Sequence, residues 1–129
     1  LGGRFAHFHE NAGTSGAAVG VDPDVQWGLL AGQHSAYPHT FDLDYKAWDA
    51  NLPSCLMDLV KEHLVRIIGE EADCVMQHII HSQHLWPTGN YEMHGGMPSG
   101  AVGTSIINTM CNNIAVISAL MDQPEWTPD

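Results

Sequence analysis

The sequence predicts an α+β fold, on three observations. Apolar residues recur at helical spacing in three separate stretches, Leu56 to Ile68, Val75 to Ile80 and Ile106 to Met121. One period-2 run and one hairpin signal stand apart from them, without the regular strand–helix alternation that builds a parallel sheet. With 129 residues and 44% hydrophobic content, the chain is long enough for a real core and too apolar for disorder to be the default.

From the N-terminus, residues 1–12, with Arg4, Phe5, His7, Phe8 and His9, predict the end of a helix. Gly13 to Gly20 is a loop of small residues. Asp22 followed by Pro23 reads as an N-cap with proline at the first helical position, opening a short helix through Leu30. Gly32 to His39 reads as a polar loop. Between Thr40 and Tyr45, the apolar Phe41, Leu43 and Tyr45 alternate with Thr40, Asp42 and Asp44, which predicts a strand with one acidic face.

Asn51 and Pro53 then start a helix with Leu56, Leu59, Val60, Leu64, Ile67 and Ile68 at its apolar positions. Gly69 stands where a helix stop belongs. A second helix is expected from Ala72 to Ser82. Leu85-Trp86 and Tyr91-Glu92-Met93 flank Pro87 to Asn90 as a β-hairpin. His94 to Gly103 is a glycine-rich loop, and Ile106, Ile107, Met110, Ile114, Ile117 and Met121 mark the apolar face of a last helix. The tail from Gln123, with Pro124 and Pro128, is irregular.

Bulk properties exclude several classes. No run of about 18 uninterrupted apolar residues occurs, so no transmembrane segment is expected. No basic-then-apolar leader opens the chain. Cys55, Cys74 and Cys111 are an odd number at wide spacing, which fits neither a disulfide framework nor a zinc pattern and suits a reducing cytoplasm. His78, His81 and His84 recur every three residues and His7 and His9 sit two apart. Neither spacing supplies zinc ligands at i and i+4 with a third partner, so these read as surface or packing histidines. Trp27, Trp48 and Trp86 likewise read as packing residues.

The charge is −11, from four Lys plus Arg against fifteen Asp plus Glu. Nucleic-acid binding leaves the opposite, basic footprint, so composition alone favours a non-enzymatic acidic interaction domain. The acidic strand and the glycine loop together favour a metal-dependent phosphohydrolase instead. The loop has its own chemistry: glycines let backbone approach a ligand closely, and the N–H groups opening the next helix suit a phosphate or an oxyanion.

That loop carries a more specific signal. The run Gly95-Gly96-Met97-Pro98-Ser99-Gly100, then Gly103-Thr104-Ser105-Ile106, then Asn108, then Asn112-Asn113 resembles motif B of the picornavirus-type RNA-dependent RNA polymerases, in order and in spacing. Phe41 to Leu52 is similar to the family's motif A, with Asp44 and Asp49 at its two acidic positions. Ala18 to Asp24 is similar to the segment that precedes motif A. The resemblance extends from about residue 5 to about residue 120. It departs at Ala101 and Val102, where enteric members often carry Cys and Ser or Ala, and at Lys46 and Trp48 inside motif A.

The resemblance implies a partial right-hand polymerase fold, a palm with part of the fingers. Residues 1–12 would end a helix connecting fingers and palm, 13–53 would be a palm segment with motif A, 54–85 fingers helices, and 86–129 the hairpin and palm motif B helix. The implied activity is template-dependent nucleotidyl transfer from NTPs in viral RNA replication, assisted by Mg2+ or Mn2+. Asp44 would be the catalytic metal ligand, with Asp42 peripheral to it. Asp49, Thr104 and Asn108 would read the ribose, and Ser99 and Gly100 would contact template and nucleotide. The partners would be an RNA template-primer, NTPs and other viral replication proteins, in membrane-associated replication complexes of the host cytoplasm.

The family's motif C, Gly-Asp-Asp, does not occur in the 129 residues. The sequence is therefore expected to be an internal fragment, inactive alone. The family's basic motif F would lie just before residue 1, which accounts for the acidity of the remainder.

Overall fold

The computed structural model describes residues 6–7, 10–14, 16–101 and 103–124, and the chain divides into two compact units, Leu1–Lys46 and Ala47–Asp129. In the first unit Ala6, His7 and Glu10 are helical, and the Asn11 N–H donates to the His7 carbonyl at 3.1 Å. The rest of the helix end expected over residues 1–12 lies outside the described residues.

Asp22 caps a turn rather than a helix. Its Oδ1 accepts from the Asp24 N–H at 2.9 Å, while the Gln26 side chain returns to the Asp22 N–H at 2.9 Å. Such local side-chain bonds offer the backbone an alternative to helix. Helix α1 (Trp27–Ser35) therefore starts at Trp27 instead of Pro23 and runs past Leu30 into the first residues of the expected polar loop, Gly32 to Ser35, while residues 36–39 stay non-helical. It stops short of Pro38, whose ring disfavours helical geometry at the preceding Tyr37.

The expected strand from Thr40 to Tyr45 does not form, and Phe41 and Leu43 are exposed. Alternation encodes two faces but not a partner, and among the described residues no strand pairs with this segment.

The second unit contains α2 (Trp48–Asn51), α3 (Ser54–Ile68), α4 (Glu71–Ile80), β1 (His81–Trp86), β2 (Gly89–His94) and α5 (Thr104–Met121). Helix α3 has the expected bounds. Pro53 precedes it in extended geometry, and Gly69 ends it at φ +110°, a conformation that suits glycine. Its buried stripe is Met57, Val60 and Leu64, whereas Leu59 and Ile67, expected on the apolar face, are exposed. Against that stripe pack Ala72, Met76, Ile79 and Ile80 of α4 and Ile107 and Cys111 of α5. Each fully buried large side chain contributes about 1.5–3 kcal/mol.

The hairpin is antiparallel and longer than expected. Trp86 pairs with Gly89 across the two-residue turn Pro87-Thr88, and the ladder continues to His81 opposite His94. Helix α4 consequently ends at Ile80 rather than Ser82: ladder pairing with β2 overrides the local helical pattern. Among the described residues α5 alone is long and apolar enough, at 18 residues and mean hydropathy 1.2, to match a membrane span. It carries Thr104, Asn108, Asn112 and Asn113 and packs Ile107 and Cys111 into the core, while Ile117 and Met121, expected on its apolar face, are exposed.

Candidate functional site

The glycine-rich loop is held by three successive backbone N–H groups. Gly95 donates to the Ile80 carbonyl at 2.8 Å, Gly96 to that of Leu52 at 2.8 Å, and Met97 to that of Asp49 at 2.7 Å. Both glycines have positive φ, +90° and +73°. A Cβ on Gly95 would stand 3.0 Å from the Leu52 carbonyl oxygen, and one on Gly96 would stand 2.9 Å from that of Asp49. Only glycine lets the loop lie this close to the backbone of Asp49 and Leu52. Met97 then buries its side chain in the core and anchors the loop from below.

Beyond Met97 the loop opens outward. Ser99 and Gly100 are exposed, and Gly100 has φ +86° with no atom within 4 Å of a Cβ placed there. Gly103, at φ +75°, precedes the first turn of α5. The Thr104 hydroxyl donates to the Ala101 carbonyl at 2.6 Å, tying the loop to the helix it enters.

Asn108 is half-buried one turn further on, and its Oδ1 accepts from the Trp48 indole N–H at 2.9 Å. An indole nitrogen only donates, so this bond fixes the amide: oxygen toward Trp48, with Nδ2 left as the donor. Asp49, beside Trp48 in α2, is exposed. With Ser82, His84, Met93 and the loop residues Gly95 to Ser99, it lines a cavity of about 210 Å³. Ser82 and His84 are themselves joined at 2.8 Å, and the His84 ring stacks on Tyr91 at 5.0 Å.

Asp49, Ser99, Gly100, Thr104 and Asn108 thus all belong to the second unit. The backbone joins Asp49 to the loop and Trp48 joins α2 to Asn108, while Thr104 bonds its own loop and not Asp49. Asp44 belongs to the first unit, exposed on a segment outside any described strand. Trp48 has a role that sequence reasoning did not assign. The usable signal was that a partly buried indole needs an acceptor, and an amide at a functional position offers one. Burial raises the Cys111 thiol from 9.0 to about 11, which marks it as an inert core residue.

The sequence profile of the viral RNA-dependent RNA polymerase family matches residues 2–125. The chain is also 36% identical over 131 aligned positions to the genome polyprotein of Salivirus A (isolate Human/Nigeria/NG-J1/2007). That alignment covers 99% of the chain and 6% of the polyprotein.

Proposed function

The chain belongs to the viral RNA-dependent RNA polymerase family, and on that premise we propose that it supplies one metal-binding aspartate and the ribose-reading residues of a picornavirus-type polymerase. In this reading residues 13–53 and 86–129 belong to the palm and 54–85 to the fingers. The reaction is attack of a primer 3′-hydroxyl on the α-phosphate of an NTP, directed by an RNA template: a phosphodiester bond forms, the α–β phosphoanhydride bond breaks, and pyrophosphate and the hydroxyl proton leave. Asp44 would hold a Mg2+ or Mn2+ ion, which when bound would supply electrostatic stabilisation of the charge that develops in the transition state.

Asp44 is the ligand this chain offers. An exposed carboxylate provides the hard oxygens that Mg2+ prefers, and Mg2+ sites commonly combine one or two carboxylates with substrate phosphates.

The observation that carries the sugar-reading part is the Trp48–Asn108 bond. It leaves the Asn108 Nδ2–H as donor, while the Asp49 carboxylate can only accept. A ribose 2′-hydroxyl complements both, donating to Asp49 and accepting from Asn108. A deoxyribose offers neither bond and would leave both groups without a partner, the arrangement that discriminates most strongly. Thr104 supports the pair by fixing the first turn of α5 to the loop. Ser99 and Gly100, at the open tip, face the template and nucleotide. Partners are an RNA template-primer, NTPs and other viral replication proteins, and the setting is membrane-associated replication complexes in the host cytoplasm.

Asp44→Asn and Asp44→Ala in the parent polymerase test the metal role. Both should abolish template-dependent incorporation with folding intact, and substantial residual elongation by either would remove Asp44 from the active site.

A further inference from the structure

We propose that His81, Glu92 and His94 form a binding site for a divalent transition-metal ion, zinc foremost, on the exposed face of the hairpin. The register creates it. His81 lies directly opposite His94, and the next pair on the same face is Gln83 opposite Glu92. Alternate residues on a strand share a face and cross-strand partners are close neighbours, so three ligating side chains separated by up to 13 positions meet at one point.

The ligand atoms are already gathered. The two Nδ1 atoms are 2.8 Å apart, and Glu92 Oε1 is 3.9 Å from that of His81 and 3.8 Å from that of His94. Tetrahedral zinc with ligand bonds near 2.0–2.1 Å separates its ligand atoms by about 3.4 Å. The observed distances bracket that value, so shifts of about half an ångström close the site around an ion.

Gln83 prepares the carboxylate. Its Nε2 donates to Glu92 Oε2 at 2.7 Å, which holds the group and leaves Oε1 turned toward the imidazoles. An outer partner of this kind is a recurring feature of metal sites.

On binding, both imidazoles present the Nδ1 lone pair and keep their proton on Nε2, so each ring stays neutral. Two nitrogens and one oxygen suit zinc and its neighbours, whereas Mg2+ demands oxygen, so this ion is distinct from the catalytic one. With all three ligands exposed, water completes the coordination. The site lies at the root of the glycine loop: His94 precedes Gly95, whose N–H holds Ile80. A bound ion would clamp the two strands where that loop begins.

Titration of the whole chain with Co2+, read by its visible absorption and followed by Zn2+ competition, tests the site. One equivalent should bind. His81→Ala and Glu92→Gln should each weaken binding by at least about tenfold, the size of effect that even outer partners have. Glu92→Gln keeps the side-chain shape and an acceptor for Gln83, so a loss there is not one of folding; far-UV circular dichroism checks both variants. His78→Ala, in the nearby Cys74–His78 pair of α4, should leave binding unchanged. Absence of saturable binding, binding that survives both site variants, or binding lost in His78→Ala would each overturn the proposal.

Discussion

Trp48→Phe removes the indole N–H that joins α2 to α5 and leaves the Asn108 oxygen half-buried without its donor. A neutral hydrogen bond of this kind contributes about 0.5–1.5 kcal/mol, and stranding one partner costs about 1–3 kcal/mol. The substitution also trims apolar surface packed against the core, so the single variant mixes two effects. A double-mutant cycle with Asn108→Ala separates them. Urea unfolding of the chain and its three variants should give a coupling of about 1 kcal/mol. In the parent polymerase that energy corresponds to roughly a fivefold loss of preference for ribonucleotides in Trp48→Phe, with metal dependence unchanged. A coupling of zero would refute the claim that Trp48 orients the Asn108 amide.

Two further outcomes follow from the loop and its helix. Gly96→Ala should destabilise the chain by about 2 kcal/mol or more, because positive φ and a 2.9 Å approach to the Asp49 carbonyl act together. Gly100→Ala has the conformational cost alone and should lose about 1 kcal/mol, so equal losses in thermal or urea unfolding would contradict the close-approach argument. Under native conditions a thiol reagent should label Cys55 and Cys74 and spare Cys111 until the chain is unfolded. The stability that the buried Cys111 thiol contributes is fully present below pH 9.0 and lost as pH rises through about 11, which pH-dependent unfolding measures.

Much of the second unit was legible in the sequence. Pro53, the 3.6-residue spacing of Val60 and Leu64, and Gly69 define α3 because cap, period and stop agree. Its exposed positions Leu59 and Ile67 were not legible, since a period marks a face but not how much of it is covered. The Thr40–Tyr45 segment failed for a related reason, as a strand exists only with a partner. Residues His81 to His84 were expected within or near a helix, and their strand geometry comes from pairing with β2.

The site divides the same way. Motif order singled out Asp44, Asp49, Thr104 and Asn108 without any geometry. The Trp48–Asn108 bond joins residues 60 positions apart, and the His81–His94 contact spans 13, so both needed the folded chain. The His94 partner becomes visible once the hairpin register is extended to its root.

Sugar discrimination in the parent polymerase tests the central claim most directly. Incorporation of each ribonucleotide is compared with its deoxy counterpart in the native enzyme and in Asn108→Ala, across a range of Mg2+ concentrations. The Asn108 amide and the 2′-hydroxyl make a neutral hydrogen bond, and stranding one partner of such a bond costs about 1–3 kcal/mol, so the preference for ribonucleotides should narrow by about fivefold or more with the Mg2+ dependence left in place. Unchanged discrimination in Asn108→Ala, or a shift confined to the Mg2+ requirement, would contradict the account.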